Sequence, residues 1–276
     1  MSSHLKTLLG KLSVKAPQGG ELLGFSQAAK TYSDYRHRGV SPEIAPGDHM
    51  YHGGGQTWYF SVGESGLAAC LHAVSQSWCG GINRILDIPC GHGRVARHLR
   101  AAYPDAEMFF CEIDKSGADF CANTFRGTAL YSRPEMTEVA LPKNLDLIWV
   151  GSLFTHVDED RTSRWLAYLA SHLSPNGVLV STFHGLYSAI EQGIRPMIDP
   201  AVWGTITDGV KLRGYGYAPY SNFELGDYGI SLTTPQKILE MACAIPGTRI
   251  ISYVERGWAD NHDVLGVTRN DRTLAM

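Results

Sequence analysis

Residues 85–94 read Ile85-Leu86-Asp87-Ile88-Pro89-Cys90-Gly91-His92-Gly93-Arg94. The apolar run at 84–88 fits a short buried strand. Residues 93–103 (GRVARHLRAAY) then place Val95, Leu99 and Ala102 on one helical face. Small residues in the intervening turn let a ligand approach the backbone, and the helix start offers free N–H groups. Asp87, at the strand end, can accept hydrogen bonds from a ligand ammonium or hydroxyl. An ordinary strand–turn–helix corner looks the same, so the turn gains meaning from its surroundings. About twenty residues on, the next strand ends in Cys111-Glu112-Ile113-Asp114, and an acid at that offset can hold both hydroxyls of a ribose. Alone, Glu112 also reads as an exposed carboxylate stabilised near a helix start. Together the turn and the acid point to a nucleoside ligand.

Outward from this corner the pattern is regular. Strands are predicted at 107–113, 128–131, 145–150 and 177–183, with helices at 116–125 and 158–173 between them. Such alternation means a parallel sheet in an α/β fold. A helix at 234–244 and strands at 248–254 and 264–269 follow. Only residues 255–263 separate the last two, too few for a crossover, so the final strand is expected to run antiparallel. Between them and the fifth strand, residues 185–230 hold Tyr187, Trp203, Tyr215, Tyr217, Tyr220, Phe223 and Tyr228 among glycines. That is too long for a plain loop and reads as an insertion, a lid over the acceptor or a small subdomain. Upstream, residues 1–50 are polar and irregular, and 64–78 have helical spacing. The expected organisation is an N-terminal helical extension over residues 1–80 that covers the ligand edge, and a main domain over 81–276.

The chain has 276 residues, 44% hydrophobic and 18% charged, a globular composition that argues against disorder. A net charge of −3 argues against a nucleic-acid partner. No apolar run approaches the ~18 residues of a membrane span. Residues 1–16 carry Lys6, Lys11 and Lys15 without the apolar centre of a signal peptide. The six cysteines form no CxxC pair and read as reduced, mostly buried thiols, so a cytoplasmic location is expected. No metal is expected, since neither the cysteines nor Asp227, Asp260 and Asp263 show ligand spacing.

LDIPCGHGR, FFCEID, LDLIWVGSLFTHV and LSPNGVLVSTFHG, in this order, resemble the class I S-adenosylmethionine (SAM) dependent methyltransferases over residues 84–184. The resemblance implies a Rossmann-like seven-stranded sheet with an antiparallel last strand, and SAM as cofactor with S-adenosylhomocysteine as product. It carries Asp87, Gly91 and Gly93 onto the family's first motif and Glu112 onto its ribose-binding acid. It also places Ile113 against the adenine, and Gly151 and Ser152 beside the methionyl portion. Pro89 departs from the glycine common there. Proline removes an N–H, so the turn is expected to bind through its later amides. The flanks GDHMYHGGGQTWYFSVGESGL, DYGISLTTP and ERGWADNHDV are similar to bacterial methyltransferases found with polysaccharide-assembly enzymes, which implies a sugar or glycan acceptor.

The expected reaction is in-line methyl transfer to a small-molecule or sugar hydroxyl, which needs a base. Natural-product N-, C- or O-methylation is the alternative, as is a non-catalytic, SAM-binding form of the fold. A nicotinamide-binding domain would want a third glycine where Ala96 stands. Ligands in such sheets sit beyond the strands' carboxyl ends. The base candidates there are His184 after the fifth strand, His262 in Asp260-Asn261-His262-Asp263, and His156 at a helix start. The carboxylates around His262 are expected to raise its pKa. His49 and His52, with Tyr51 and Tyr59, read as lining the cofactor entrance, or else as a surface loop. A homodimer is compatible with all of this.

Overall fold

The computed structural model describes residues 23–51, 55–220 and 228–269. His52, Phe223, Asp227 and residues 1–16 lie outside the described residues.

The sheet is built from β1 (Arg84–Asp87), β2 (Glu107–Glu112), β3 (Thr128–Tyr131), β4 (Leu145–Val150), β5 (Leu173–Phe183), β8 (Thr248–Trp258) and β9 (His262–Arg269). Their order is β3-β2-β1-β4-β5-β9-β8. The strands from β3 to β5 are mutually parallel, whereas β9 runs antiparallel to both β5 and β8. This is the Rossmann-like arrangement expected, with its antiparallel last strand. Each central strand is apolar on both faces because both faces are covered. Alternate side chains divide between two cores. Ile85, Phe110, Leu147 and Trp149 face α1 (Leu23–Arg36), α2 (Gln56–Ser75), α3 (Ala96–Ala102) and α4 (Lys115–Phe125). Leu86, Phe109, Ile148 and Val150 face α5 (Glu159–Ala170) and α8 (Pro235–Cys243).

Several boundaries differ from the sequence reading, each for a local reason. The predicted helix to residue 173 ends at Ala170, and β5 begins at Leu173. The turn at 174–177 therefore lies inside β5 as a bulge, with Asn176 at φ 63° and the pairing skipping from Leu173 to Val178. At the other end of the sheet, β8 continues past Val254 through a second irregularity, so that Trp258 pairs with His262. The connector shrinks to Ala259-Asp260-Asn261. The extension carries Trp258 and His262 to the carboxyl-end side of the sheet.

The segment before residue 50 is not wholly irregular, since α1 occupies part of it. Its buried face, Ala28, Thr31 and Tyr35, is small or polar and gives a faint apolar signal. Helix α2 begins at Gln56, earlier than expected, and crosses α3 closely. A Cβ on Gly63 would lie 2.1 Å from the Arg94 carbonyl oxygen, and one on Gly66 3.0 Å from Val95.

The aromatic stretch is a folded insertion rather than a loop. It contains α6 (Leu186–Ile194), α7 (Pro200–Arg213) and an antiparallel pair, β6 (Tyr215–Pro219) with β7 (Gly229–Thr233). Backbone hydrogen bonds tie β7 to the main domain: Gly229 N to His156 O (2.8 Å), Ser231 N to Thr155 O (2.9 Å) and Thr233 N to His184 O (2.9 Å). Tyr215 is fully buried and donates to Val157 O at 2.8 Å.

Gly63→Ala forces its methyl into the Arg94 carbonyl and the His98 ring. Overpacking of this kind costs about 1–3 kcal/mol, so thermal unfolding should show a lowered Tm. An unchanged Tm would mean that the α2–α3 crossing yields freely.

Candidate functional site

A cavity of about 530 Å³ opens beyond the carboxyl ends of β1, β2 and β4, where open α/β sheets take their ligands. Asp87 and Glu112 both line it. Asp87 closes β1 and is 1% exposed, and its Oδ2 has no hydrogen-bond partner. Burial, reinforced by the nearby Glu112 charge, pushes its pKa well above the usual carboxylate range. Glu112 closes β2 and is held by backbone amides. Its Oε2 accepts from Gly91 N at 2.8 Å, and its Oε1 from Ile113 N at 2.7 Å. One carboxylate thus braces the β1 turn against the end of β2.

The bracing changes the expected use of the turn. The Cys90 amide donates to Cys111 O and the Gly93 amide to Cys90 O, both at 3.0 Å, while Gly91 N goes to Glu112. The amides of Cys90, Gly91 and Gly93 are therefore engaged within the protein. The two glycines also divide their roles. Gly91 lines the cavity at φ 50°, and a Cβ there would meet nothing within 4 Å. Gly93, at φ 84°, lies off the cavity; a Cβ there would lie 2.2 Å from Phe125. Its freedom is needed for packing.

Ile113, Gly151 and Ser152 line the cavity. Ile113 is 38% exposed, an apolar face presented outward. A Cβ on Gly151 would lie 2.8 Å from the Trp149 indole nitrogen. Ser152 sits at φ 59° and donates its amide to Thr182 Oγ1 at 2.8 Å. Tyr59 is buried and does not reach the cavity. It donates to Asp48 Oδ2 at 2.5 Å and thereby fixes a residue that does. Tyr51 packs edge-on to Tyr59, and His49 is exposed.

The three histidines gather in a row. His156 and His184 lie 6.3 Å apart by ring centroid, His184 and His262 4.8 Å, and His262 and Trp258 5.0 Å. Of the three, His156 is the one lining the cavity, along with Trp258. His156 does not start a helix: α5 begins at Glu159, capped by Asp158, which accepts from Arg161 N at 2.9 Å. The imidazole instead bonds the insertion, with Nδ1 2.9 Å from Gly229 O, and stacks on Tyr228 at 5.1 Å. His184 Nδ1 lies 3.1 Å from Ser231 O. Burial lowers the pKa of His156, and burial with the neighbouring His156 takes that of His184 to about 4. The expected raising of His262 does not occur. Burial, then His184, drives its pKa well down, and the acids beside it turn elsewhere. Asp260 pairs with Arg256 at 2.6 Å, and Asp263 accepts from the Tyr253 hydroxyl and the Arg256 amide.

Other cavity residues escaped sequence reasoning, Asp48, Arg94, Trp149, Trp165 and Trp258 among them, whereas Tyr228 comes from the aromatic insertion. Trp149, at the end of β4, lies in the LDLIWV run already read as strand, so its position was legible though its role was not. Trp258 depends on the unforeseen extension of β8. Cys90 also borders the cavity, its thiol pKa raised well above the usual range by burial and by the neighbouring Cys121. Among the described residues, no group of three or more His, Cys, Asp and Glu side chains could hold a metal ion, and no helix is long and apolar enough to cross a membrane.

Residues 86–179 match the family described as a methyltransferase domain. No curated protein matches the sequence. Among solved structures, the chain is similar to an SAM-dependent methyltransferase of Clostridium acetobutylicum ATCC 824. The identity is 12%, over 77% of this chain and 92% of that one, with a TM-score of 0.50. A candidate O-methyltransferase of Nostoc punctiforme PCC 73102 is 13% identical, over 90% of this chain and 71% of its own, at a TM-score of 0.52. A candidate SAM-dependent methyltransferase of Listeria monocytogenes is 11% identical, over 74% and 98%, at 0.50. Residues 86–179 are thus similar to a methyltransferase domain, and the chain shares the fold of these SAM-dependent methyltransferase structures.

The buried Asp87 carboxylate makes a prediction about the free protein. A carboxyl whose folded pKa is raised binds its proton longer in the native state, so stability falls as pH rises above the unfolded value near 4. Asp87→Asn should raise the Tm of the ligand-free protein at pH 7, and the gain should shrink as pH falls towards 4. A Tm difference independent of pH would show that the Asp87 charge is not the cause.

Proposed function

We propose that this protein transfers the methyl group of SAM to a hydroxyl of a small molecule, sugars and glycans included. The observation that carries this reading is the pair of carboxylates on one cavity: Asp87 with an unpartnered, buried oxygen, and Glu112 fixed by two backbone amides. They suit two ends of one ligand, Asp87 an ammonium and Glu112 a ribose diol. The open space at Gly91 admits the chain between them, and the outward face of Ile113 suits an adenine. SAM, when bound, supplies a methyl carbon activated by its sulfonium sulfur, and S-adenosylhomocysteine is the product.

His156 is the base in this reading, because it is the candidate histidine on the cavity wall. The Gly229 carbonyl can only accept, so His156 Nδ1 carries the hydrogen and Nε2 the lone pair. Its lowered pKa keeps the ring neutral at pH 7. His184 and His262 stand behind it as positioning residues. Trp165, Met136, Leu153 and Tyr228 supply an apolar wall for the acceptor and limit water near the reacting atoms. The free cysteines, five of them buried among the described residues, suit a reducing compartment, and the cytoplasm is the location we assign.

Calorimetric titration with S-adenosylhomocysteine, with NAD as control, tests the cofactor site. Binding of the first alone is expected, and a labelled-methyl screen of sugars, glycans and other hydroxyl compounds then tests the acceptor. Glu112→Ala should weaken S-adenosylhomocysteine about ten- to a hundredfold, the scale of lost charge-assisted hydrogen bonds. Unchanged affinity would remove Glu112 from the ribose role. His156→Ala should lower turnover about a hundredfold and leave S-adenosylhomocysteine affinity nearly intact. With a lowered His156 pKa, the wild-type rate should fall on the acid side only below pH ~6.5. An acid limb near pH 8 would identify a different base.

A further inference from the structure

Arg94, Arg97 and Arg100 recur every three residues from the β1 turn into α3, yet they are treated differently. Arg97 is buried and gives its donors to the carbonyls of Gly93, Ser41 and Glu43 at 2.8–3.0 Å. Arg100 donates to the carbonyls of Phe125, Pro104, Ala106 and Arg126 at 2.7–2.9 Å. Arg94 lines the cavity, with its guanidinium 5.5 Å from the Trp258 ring. Among the described residues that guanidinium makes no ion pair and no hydrogen bond. The acid that acts on it at longer range, Asp48, has both oxygens engaged, Oδ2 by the Tyr59 hydroxyl and Oδ1 by the Met50 amide at 2.9 Å. Burial lowers the Arg94 pKa, but an arginine stays charged at pH 7. A half-buried cation with a ring face but no hydrogen-bond acceptor is expensive, and the same cavity holds the unpartnered oxygen of Asp87.

We propose that Arg94 binds the carboxylate of the cofactor's amino-acid end, with Asp87 taking the ammonium on the same carbon. The inference rests on the SAM reading above and adds to it the residue that recognises the zwitterion. A guanidinium matches a carboxylate with two parallel N–H donors. The Trp258 face sets the plane in which they point, and its indole N–H is fixed to Val62 O at 3.0 Å. Trp258 therefore acts on the cofactor through Arg94.

The test compares two ligands by calorimetry: S-adenosylhomocysteine, and S-adenosyl-3-thiopropylamine, which keeps the ammonium and lacks the carboxylate. Arg94→Met should weaken S-adenosylhomocysteine at least tenfold, the scale of a lost hydrogen bond to a charged group, and leave the amine within about twofold. Arg94→Lys should fall between wild type and Arg94→Met for S-adenosylhomocysteine. Equal weakening of both ligands would mean a structural role and overturn the proposal. Unchanged S-adenosylhomocysteine affinity would overturn it too, including the case where only the acceptor KM rises. If the wild type binds neither ligand, the cofactor reading fails and this one falls with it. Should Arg94→Met not fold, Arg94→Gln carries the same contrast.

Discussion

The carboxylate of Glu112 fastens the two strand ends that define the site. It bridges the Gly91 amide, in the turn after β1, and the Ile113 amide, just past β2. Buried backbone donors need partners, and at these two strand ends a single carboxylate supplies them. With Glu112 in place, Gly91 keeps its left-handed backbone and an open face to the cavity. The turn then holds Asp87 at the bottom of the cavity, where burial raises its pKa and leaves one oxygen unsatisfied. A group kept in that condition is unfavourable for folding, which is the usual mark of a functional site.

The second organising element is strand β7 of the insertion. Its backbone donates to Thr155, His156 and His184, and its carbonyls receive the Nδ1 atoms of both histidines. The orientations of His156 and His184 are therefore set in part by a segment outside the core sheet. This divides the molecule's labour: the parallel strands fix the cofactor region, and the insertion fixes the wall across from it. On the proposed reading, acceptor preference would change through the insertion while Asp87 and Glu112 stay in place.

The parallel sheet and its antiparallel last strand were legible because the strands are continuous apolar runs with short connectors. That Asp87, Gly91, Glu112 and Ile113 come together at one cavity was legible because a turn and an acid at fixed offset leave a local signature. What was not legible depends on distant packing. Gly93 carries the same signature as Gly91, yet Phe125, over thirty residues on, decides its role. Arg94 and Arg97 look alike in sequence; whether each finds a carbonyl depends on the Ser41–Glu43 segment. The direction of the His262 shift could not be read from Asp260 and Asp263, because Arg256 and Tyr253 draw those acids away. The bulge in β5 was missed because Pro175-Asn176-Gly177 reads equally as a terminating turn.

Cys90 has a consequence of a different kind. In a cavity that holds a sulfonium, as proposed here, any thiolate is a rival nucleophile, and alkylation of the enzyme by its own donor would be the outcome. Thiolate, not thiol, is the reactive form. Burial and the adjoining Cys121 raise the Cys90 pKa well above its ordinary value, so the sulfur stays protonated. On that reading, the apolar packing that makes Asp87 unfavourable as an ion also holds the neighbouring thiol in its protonated, less reactive form.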